Sequence, residues 1–407
     1  MGTTVTLDDT AARAALLGDV GRELVDAVID DAGGKTTAVR TQHVSLQPGR
    51  SLVVRFGVDV RWGDGVDDTT ESLVLAAGDV ARQGALLVEG PFGTVAAWRH
   101  PDDPGLPGLR AAVDPSRVRS LLDDLGHPAG AVTLRERAYR PGRRAVIEAW
   151  TPSGRLFLKV VRPAAAAKLQ GHHARFAPVM PVPPSHGWSE SLGIVALGPL
   201  DGPTARESLR SGGPGVSGGT ILALLDRLTA APGEHHRRPS PTSDAAHHAR
   251  SVAAVLPSES SRLDRLVASL CDDAPQAEVA VHGDLHPAQL ITDRGRLTGL
   301  LDLDTIAIGQ RVDDLATYTG HLATIALTSR HRSTIEAHGA DLLRAFDQAV
   351  DPVELRRRTA AVVVGLATGP YRVQERGWQA ATRARIALAE RWLASARRLA
   401  RPEPIGT

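Results

Sequence analysis

The residues best suited to chemistry are concentrated between Val279 and Ala316, in the run VAVHGDLHPAQLITDRGRLTGLLDLDTIAIGQRVDDLA. The apolar triplet Val279–Val281 reads as a strand that delivers His282, Gly283 and Asp284 into a loop. Gln289 follows five positions after Asp284, and TDRGRLTGLL reads as a hairpin that returns the chain to Asp302 and Asp304. Strand, loop, hairpin and carboxylates can therefore meet at one point. Phosphoryl transfer needs such a set: one carboxylate orients an attacking hydroxyl and takes its proton, while oxygen ligands hold Mg²⁺ against a triphosphate. His282 and His286 also raise the question of a zinc pair. That site requires a glutamate after the first histidine and an unbroken helix, and Gly283 and Pro287 oppose both.

Other parts of the chain must supply a phosphate-binding cation and a frame. Basic residues are almost all arginine, and the three lysines are Lys35, Lys159 and Lys168. Lys159 lies in RLFLKVVRP, flanked by Phe157, Leu158, Val160 and Val161. An unpaired ammonium in a buried strand is costly, so a phosphate partner is one explanation and a snorkelling edge-strand lysine the other. Just before it, Arg140-Pro141-Gly142-Arg143-Arg144 forms a turn. Its backbone amides with Arg143 or Arg144 could reach phosphates, or the turn could simply be solvated.

Residues 35–100 read as β-rich, with short Val, Leu and Thr runs between Gly and Asp turns. HPDDPGLPGLRAAVDP breaks the pattern before a helix opened by Pro115. VSLQPGRSLVVRF at 44–56 echoes RAYRPGRRAVIEAW at 137–150, a strand, a Pro-Gly-Arg turn and a second strand in each. The echo is either chance between two hairpins or the mark of a cap domain that partly duplicates the lobe after it; the first copy lacks a counterpart of Lys159. Pro163 opens a helix through Ala177, and Ile194–Leu197 reads as a strand running into Gly198. The stretch from Gly233 to Arg250 reads as a polar surface loop, and from residue 313 onward three- and four-residue apolar spacing predicts helices. The pairs His172–His173, His235–His236 and His247–His248 read as solvated. Tyr371 to Trp378, YRVQERGW, could contact an acceptor from the helical lobe or be a core tryptophan with polar neighbours.

A 407-residue chain is long for one compact domain, and division into residues 1–118, 119–200 and 201–407 is expected. A net charge of +1 offers no field for collecting nucleic acid or anionic membrane, and the arginine-rich C-terminal helix reads as a solvated face. One cysteine, Cys271, allows neither an internal disulfide framework nor a Cys-rich zinc module, and the N-terminus has no signal-like head. A cytoplasmic protein acting on a small molecule is the expectation, as a monomer or homodimer.

The segment HGDLHPAQ at 282–289, followed by Asp302 and by DDLA at 313–316, resembles the aminoglycoside phosphotransferase family of kinase-like proteins. Gln289 stands where that family has asparagine, and in this the chain is similar to the actinobacterial maltokinase branch. The resemblance implies an α+β, protein-kinase-like two-lobe fold with a helical C-lobe, here with an extra β-rich N-terminal cap. It implies Asp284 as catalytic base with His282 shaping its loop, Gln289, Asp302 and Asp304 as Mg²⁺ ligands, and Asp314 as the carboxylate that ties the loop down. It further implies ATP held by Lys159 and Arg143, with Leu197 and Gly198 as the adenine-binding hinge and Gln170 at the position of the usual helix glutamate. The implied reaction moves the γ-phosphate of ATP to a hydroxyl of a sugar or amino sugar. The alternatives are an antibiotic, aminoglycoside or macrolide, as acceptor, or a nucleotide-binding regulator of pseudokinase type.

Overall fold

The computed structural model describes residues 7–63, 67–79, 85–90, 93–229, 236–270 and 276–400. Cys271 and His235 lie outside them. The chain divides into two compact units, one of residues 1–171, 184–199 and 371–376, the other of residues 172–183, 200–370 and 377–407. As expected, β-sheet dominates the N-terminal region and helix the C-terminal region.

The first unit contains two antiparallel five-stranded sheets. One is built from β1 (Lys35–Gln47), β2 (Ser51–Arg61), β3 (Thr69–Gly78), β4 (Leu86–Gly90) and β5 (Gly93–Arg99). The other is built from β6 (Thr133–Arg140), β7 (Arg144–Thr151), β8 (Gly154–Val161), β9 (Ser185–Ser189) and β10 (Ile194–Leu197). The strand orders are β1-β2-β3-β5-β4 and β6-β7-β8-β10-β9, the same path taken twice. Each begins with a hairpin closed by a three-residue Pro-Gly-Arg turn, with Gln47 opposite Ser51 in the first and Arg140 opposite Arg144 in the second. Gly49 and Gly142 take φ of 70° and 67°, a left-handed conformation that a Cβ would disfavour.

Alternation along the strands fixes how the sheets stack. Val74, Ala76, Ala96 and Trp98 of the first sheet share one core with Ala145, Ile147, Ala149, Leu158, Val160, Ile194 and Ala196 of the second. Lys159 lies between Leu158 and Val160, so it projects from the opposite face of the second sheet. Each Ile or Leu fully buried in this core contributes about 1.5–3 kcal/mol relative to exposure. The outer side of the first sheet is covered by helices Asp9–Leu17 and Asp19–Asp31, which pack on β2 and β1. Asp114 caps the helix Pro115–Asp124 by accepting the Ser116 and Arg117 amides, so Pro115 begins the helix as its sequence predicts.

In the second unit β11 (Glu278–Val281) pairs with β14 (Ala307–Gln310), and β12 (Leu290–Asp293) with β13 (Arg296–Leu300). The β12–β13 hairpin is the one expected from TDRGRLTGLL. The helices Arg311–Thr328, Arg332–Phe346, Pro352–Leu366 and Trp378–Leu399 follow. Most of the expected loop from Gly233 to Arg250 is instead a helix, Pro241–Val255. Ser240 Oγ accepts the Ser243 amide at its start, and Ala245, Ala249 and Val252 bury a stripe at helical spacing that its polar neighbours hide. Among the described residues no helix is long and apolar enough to cross a membrane.

Candidate active site

The loop from His282 to Gln289 is clamped from below by Asp314. At the start of helix Arg311–Thr328, Asp314 accepts the His282 and Gly283 amides through its two carboxylate oxygens at 2.7 and 2.8 Å. Its side chain is buried, and burial pushes its carboxyl up from the ordinary value, against the pull of His282 and of the two amides. His282 is fully buried; its Nε2 donates to the Leu301 carbonyl at 2.9 Å and its Nδ1 accepts the Asp284 amide at 3.4 Å. Both ring nitrogens are thereby used, which removes His282 as a metal ligand. Gly283 has φ 81°, and a Cβ there would stand 2.5 Å from the Thr305 carbonyl and 2.9 Å from the Arg238 side chain. With Leu285 locked in the core, the Asp284 carboxylate is left partly exposed.

Asp302 is reached from the other side by the hairpin. Gln289, itself buried, turns its amide nitrogen to Asp302 Oδ2 at 3.1 Å, and its backbone carbonyl accepts the Leu301 amide at 2.8 Å. Asp302 sits in the left-handed region at φ 61° and ψ 55°. The carbonyls on either side of it are held by buried histidines, Leu301 by His282 and Leu303 by His172 at 2.7 Å. Such over-determination is what holds a strained backbone in place. Asp304 follows on the short 3₁₀ turn Leu303–Thr305. The donor set fits magnesium: a carboxylate with an amide whose oxygen comes into place by a half-turn of the Gln289 terminus.

His172 and His173, expected to be solvated, are both buried on backbone carbonyls, His173 on Pro183 at 2.9 Å. Their place on the inner face of helix Pro163–Phe176 explains the difference. His286 stacks on His321 with centroids 4.4 Å apart, and ligand atoms of Asp284, His286 and His321 lie within 4.8 Å of one another. Burial pushes the His286 imidazole down from its ordinary value, with Asp284 acting the other way. Asp284 and His321 also line a cavity of about 220 Å³ with Arg238, Asp244, His248 and Asp313. Asp313 is held by the buried Arg358 at 2.7 Å, and burial pushes its carboxyl up despite that partner. Nothing in the sequence singles out Arg238, Asp244 or His321; they lie on a polar stretch and on helix faces whose register is fixed only by packing.

In the first unit Lys159 is buried on β8, opposite Val146 and Val195. Gln170 accepts a hydrogen bond from Ser185 Oγ at 2.5 Å. Leu197 ends β10 opposite Phe157, and the Gly198 amide is committed to the Pro184 carbonyl at 2.7 Å, leaving its carbonyl as the group it can offer. Arg143 lines a different cavity, together with His43 and Arg372. A further carboxylate, Glu148, is buried on the Lys159 face, with Arg155 at 3.4 Å and Arg137 at 3.6 Å. A lone glutamate among the apolar residues of RAVIEAW was its visible signal. Tyr371 to Arg376 belongs to the N-terminal unit, whereas the sequence assigned it to the helical lobe.

The sequence model of one family, described as APH, phosphotransferase enzyme family, matches residues 137–349, more than half of the chain. No curated protein matches in sequence. Among solved structures, a macrolide 2'-phosphotransferase from Brachybacterium faecium is similar at 20% identity, covering 66% of this chain and 97% of that one, with a TM-score of 0.41. A thermostable mutant of an aminoglycoside phosphotransferase in complex with ADP and hygromycin B is similar at 15% identity over 71% and 98%, TM-score 0.44. A choline/ethanolamine kinase family protein from Mesorhizobium loti is similar at 14% identity over 65% and 92%, TM-score 0.44.

Proposed function

Because the chain belongs to the phosphotransferase enzyme family, we propose that it moves the γ-phosphate of ATP to a hydroxyl of a small polyhydroxylated acceptor, a sugar or amino sugar. The observation that carries this reading is the loop His282–Gln289, held by Asp314 so that Asp284 alone of its side chains presents a carboxylate to the 220 Å³ cavity. In this reading Asp284 orients the acceptor hydroxyl and accepts its proton as the oxygen attacks phosphorus. Lys159 binds the nucleotide phosphates, and Leu197 with the Gly198 carbonyl meets the base. Asp302 and Gln289, with Asp304 beside them, would hold Mg²⁺, which when bound supplies the charge that offsets the phosphates. His282 and Asp314 position the loop and do not touch substrate. Residues 1–118, 119–200 and 201–407 serve as cap, nucleotide-binding and catalytic parts, and the site of action is the cytoplasm.

An antibiotic acceptor is the second reading, favoured by Asp244 in the same cavity lining as Asp284, since two carboxylates suit an amino-bearing ligand. Arg238 in the same lining counts against it, and Gln289 favours the sugar-kinase branch. Both are tested by ADP release from ATP and Mg²⁺ over a panel of sugars, amino sugars, aminoglycosides and macrolides, with Asp284→Asn and Asp302→Asn as controls. Turnover with one acceptor class, lost in both variants, supports the reading and selects the class. ATP binding with no turnover on any acceptor points to a regulator instead, and variants as active as wild type would remove the site assignment.

A further inference from the structure

The N-terminal unit contains a second cavity, of about 540 Å³, at the mouth of both Pro-Gly-Arg turns. Its size is that of an ordinary small-ligand pocket. Five guanidinium groups line it, from Arg50, Arg140, Arg143, Arg162 and Arg372, together with His43. Its two carboxylates have other work. Asp79 pairs with Arg50 at 3.0 Å. Asp103 Oδ2 accepts the Tyr139 hydroxyl at 2.8 Å and the Gly142 amide at 2.7 Å, and its Oδ1 accepts the Gly105 amide at 2.7 Å. Asp103 therefore builds the wall of the cavity and makes no ion pair with its arginines among the described residues. Arg162 is likewise anchored, Nε to the Gly142 carbonyl at 2.9 Å.

Arg143 and Arg372 differ from these. Among the described residues neither guanidinium meets a carboxylate, and the influences on Arg372 are desolvation and the charge of Arg143, both of which push it below its ordinary value. His43 registers the same field: desolvation first, then Arg372, Arg55, Arg140 and Arg143, press its imidazole down to about 4. A fold has no structural reason to bring Arg143 of the β6–β7 turn and Arg372 of the distant segment Tyr371–Arg376 to one cavity without a carboxylate for either. Like charges so placed repel at a cost, unless an anion enters between them.

We infer that this cavity binds a small phosphate-bearing anion through Arg143 and Arg372, at a site that shares no lining residue with the Asp284 cavity. Guanidinium forks meet phosphate oxygens two at a time, and two forks with Arg50 or Arg140 beside them suit a ligand carrying two phosphate groups. The inference does not depend on the phosphotransfer reading. Arg143 belongs to this anion site, whereas Lys159 and the Asp284 loop carry the proposed reaction.

The test is calorimetric titration of the full chain with inorganic pyrophosphate, free of nucleotide and Mg²⁺, at low and high salt. Wild type binds, and binding weakens with salt. Arg372→Gln weakens it about tenfold or more, in keeping with loss of a charge-assisted contact, and Arg372→Lys recovers part of the loss. Arg372 meets no carboxylate among the described residues, so neither variant breaks an ion pair, and both melt no lower than wild type. Lys159→Met leaves pyrophosphate binding unchanged. Equal affinity in wild type and Arg372→Gln, or loss of binding in Lys159→Met, would overturn the assignment, the latter by placing pyrophosphate at the nucleotide phosphates.

Discussion

The two sheets of the N-terminal unit follow the same path from the same Pro-Gly-Arg turn, yet they use corresponding faces in opposite ways. Counted from the turns, the pair Val53 and Ala76 in the first sheet occupies the position of Val146 and Lys159 in the second. Ala76 is fully buried in the core between the sheets, whereas Lys159 stands on the face of its sheet turned away from that core. The first sheet thus spends on packing the surface that the second keeps for a cation. A shared topology says where a functional residue would be; which face is left open decides whether one can exist.

Placing a lysine in the first copy is the sharpest way to break this comparison. Ala76→Lys buries an ammonium with no partner at a fully enclosed site, and a loss of about 3 kcal/mol or more is expected, seen as a collapse of the urea midpoint. Lys159→Met should do the reverse, leaving the urea midpoint near wild type while lowering kcat/KM for phosphotransfer about 100-fold, some 2.7 kcal/mol in the barrier. Between these lies Asp103, whose carboxylate ties the second hairpin to the segment after the first sheet. Asp103→Ala leaves the Tyr139 hydroxyl and two amides without their acceptor and should cost about 2 kcal/mol, read by denaturant unfolding.

A smaller effect concerns pH. His43 has a folded pKa near 4, lowered from 6.5. Below pH 6.5 the unfolded chain therefore takes up a proton that the folded chain refuses, and stability falls as pH drops from 6.5 toward 4. His43→Gln should flatten that part of the melting-temperature profile and leave the profile above pH 7 unchanged. The smallest effect is expected at the first turn, where Arg50→Ala removes an exposed pair with Asp79 and should change stability by no more than about 0.5 kcal/mol.

The candidate loop was legible in the sequence because its geometry is local: His282, Gly283 and Asp284 are consecutive, and the hairpin back to Asp302 is announced by Asp293, Arg294 and Gly295. The repeated hairpin was legible for the same reason, though its strand order needed the structure. What could not be read depends on contacts between distant segments. His172 and His173 look like a surface pair until the carbonyls of Leu303 and Pro183 are seen to hold them. Arg372 sits in a polar stretch that fits a helical lobe equally well, and only tertiary packing assigns it to the N-terminal unit. The helix at Pro241 was obscured by its polar face, since the alanines that bury its stripe carry little hydrophobic signal.

The three lysines permit one direct test of the account. An acyl-phosphate derivative of ATP transfers its acyl group to a lysine amine lying beside the nucleotide phosphates, and peptide mass spectrometry locates the amide formed. The account predicts labelling at Lys159, suppressed by excess ATP, with Lys35 on the first sheet and Lys168 unaffected by ATP. ATP-protected labelling at Lys35 or Lys168, or labelling of Lys159 that ATP does not reduce, would contradict it.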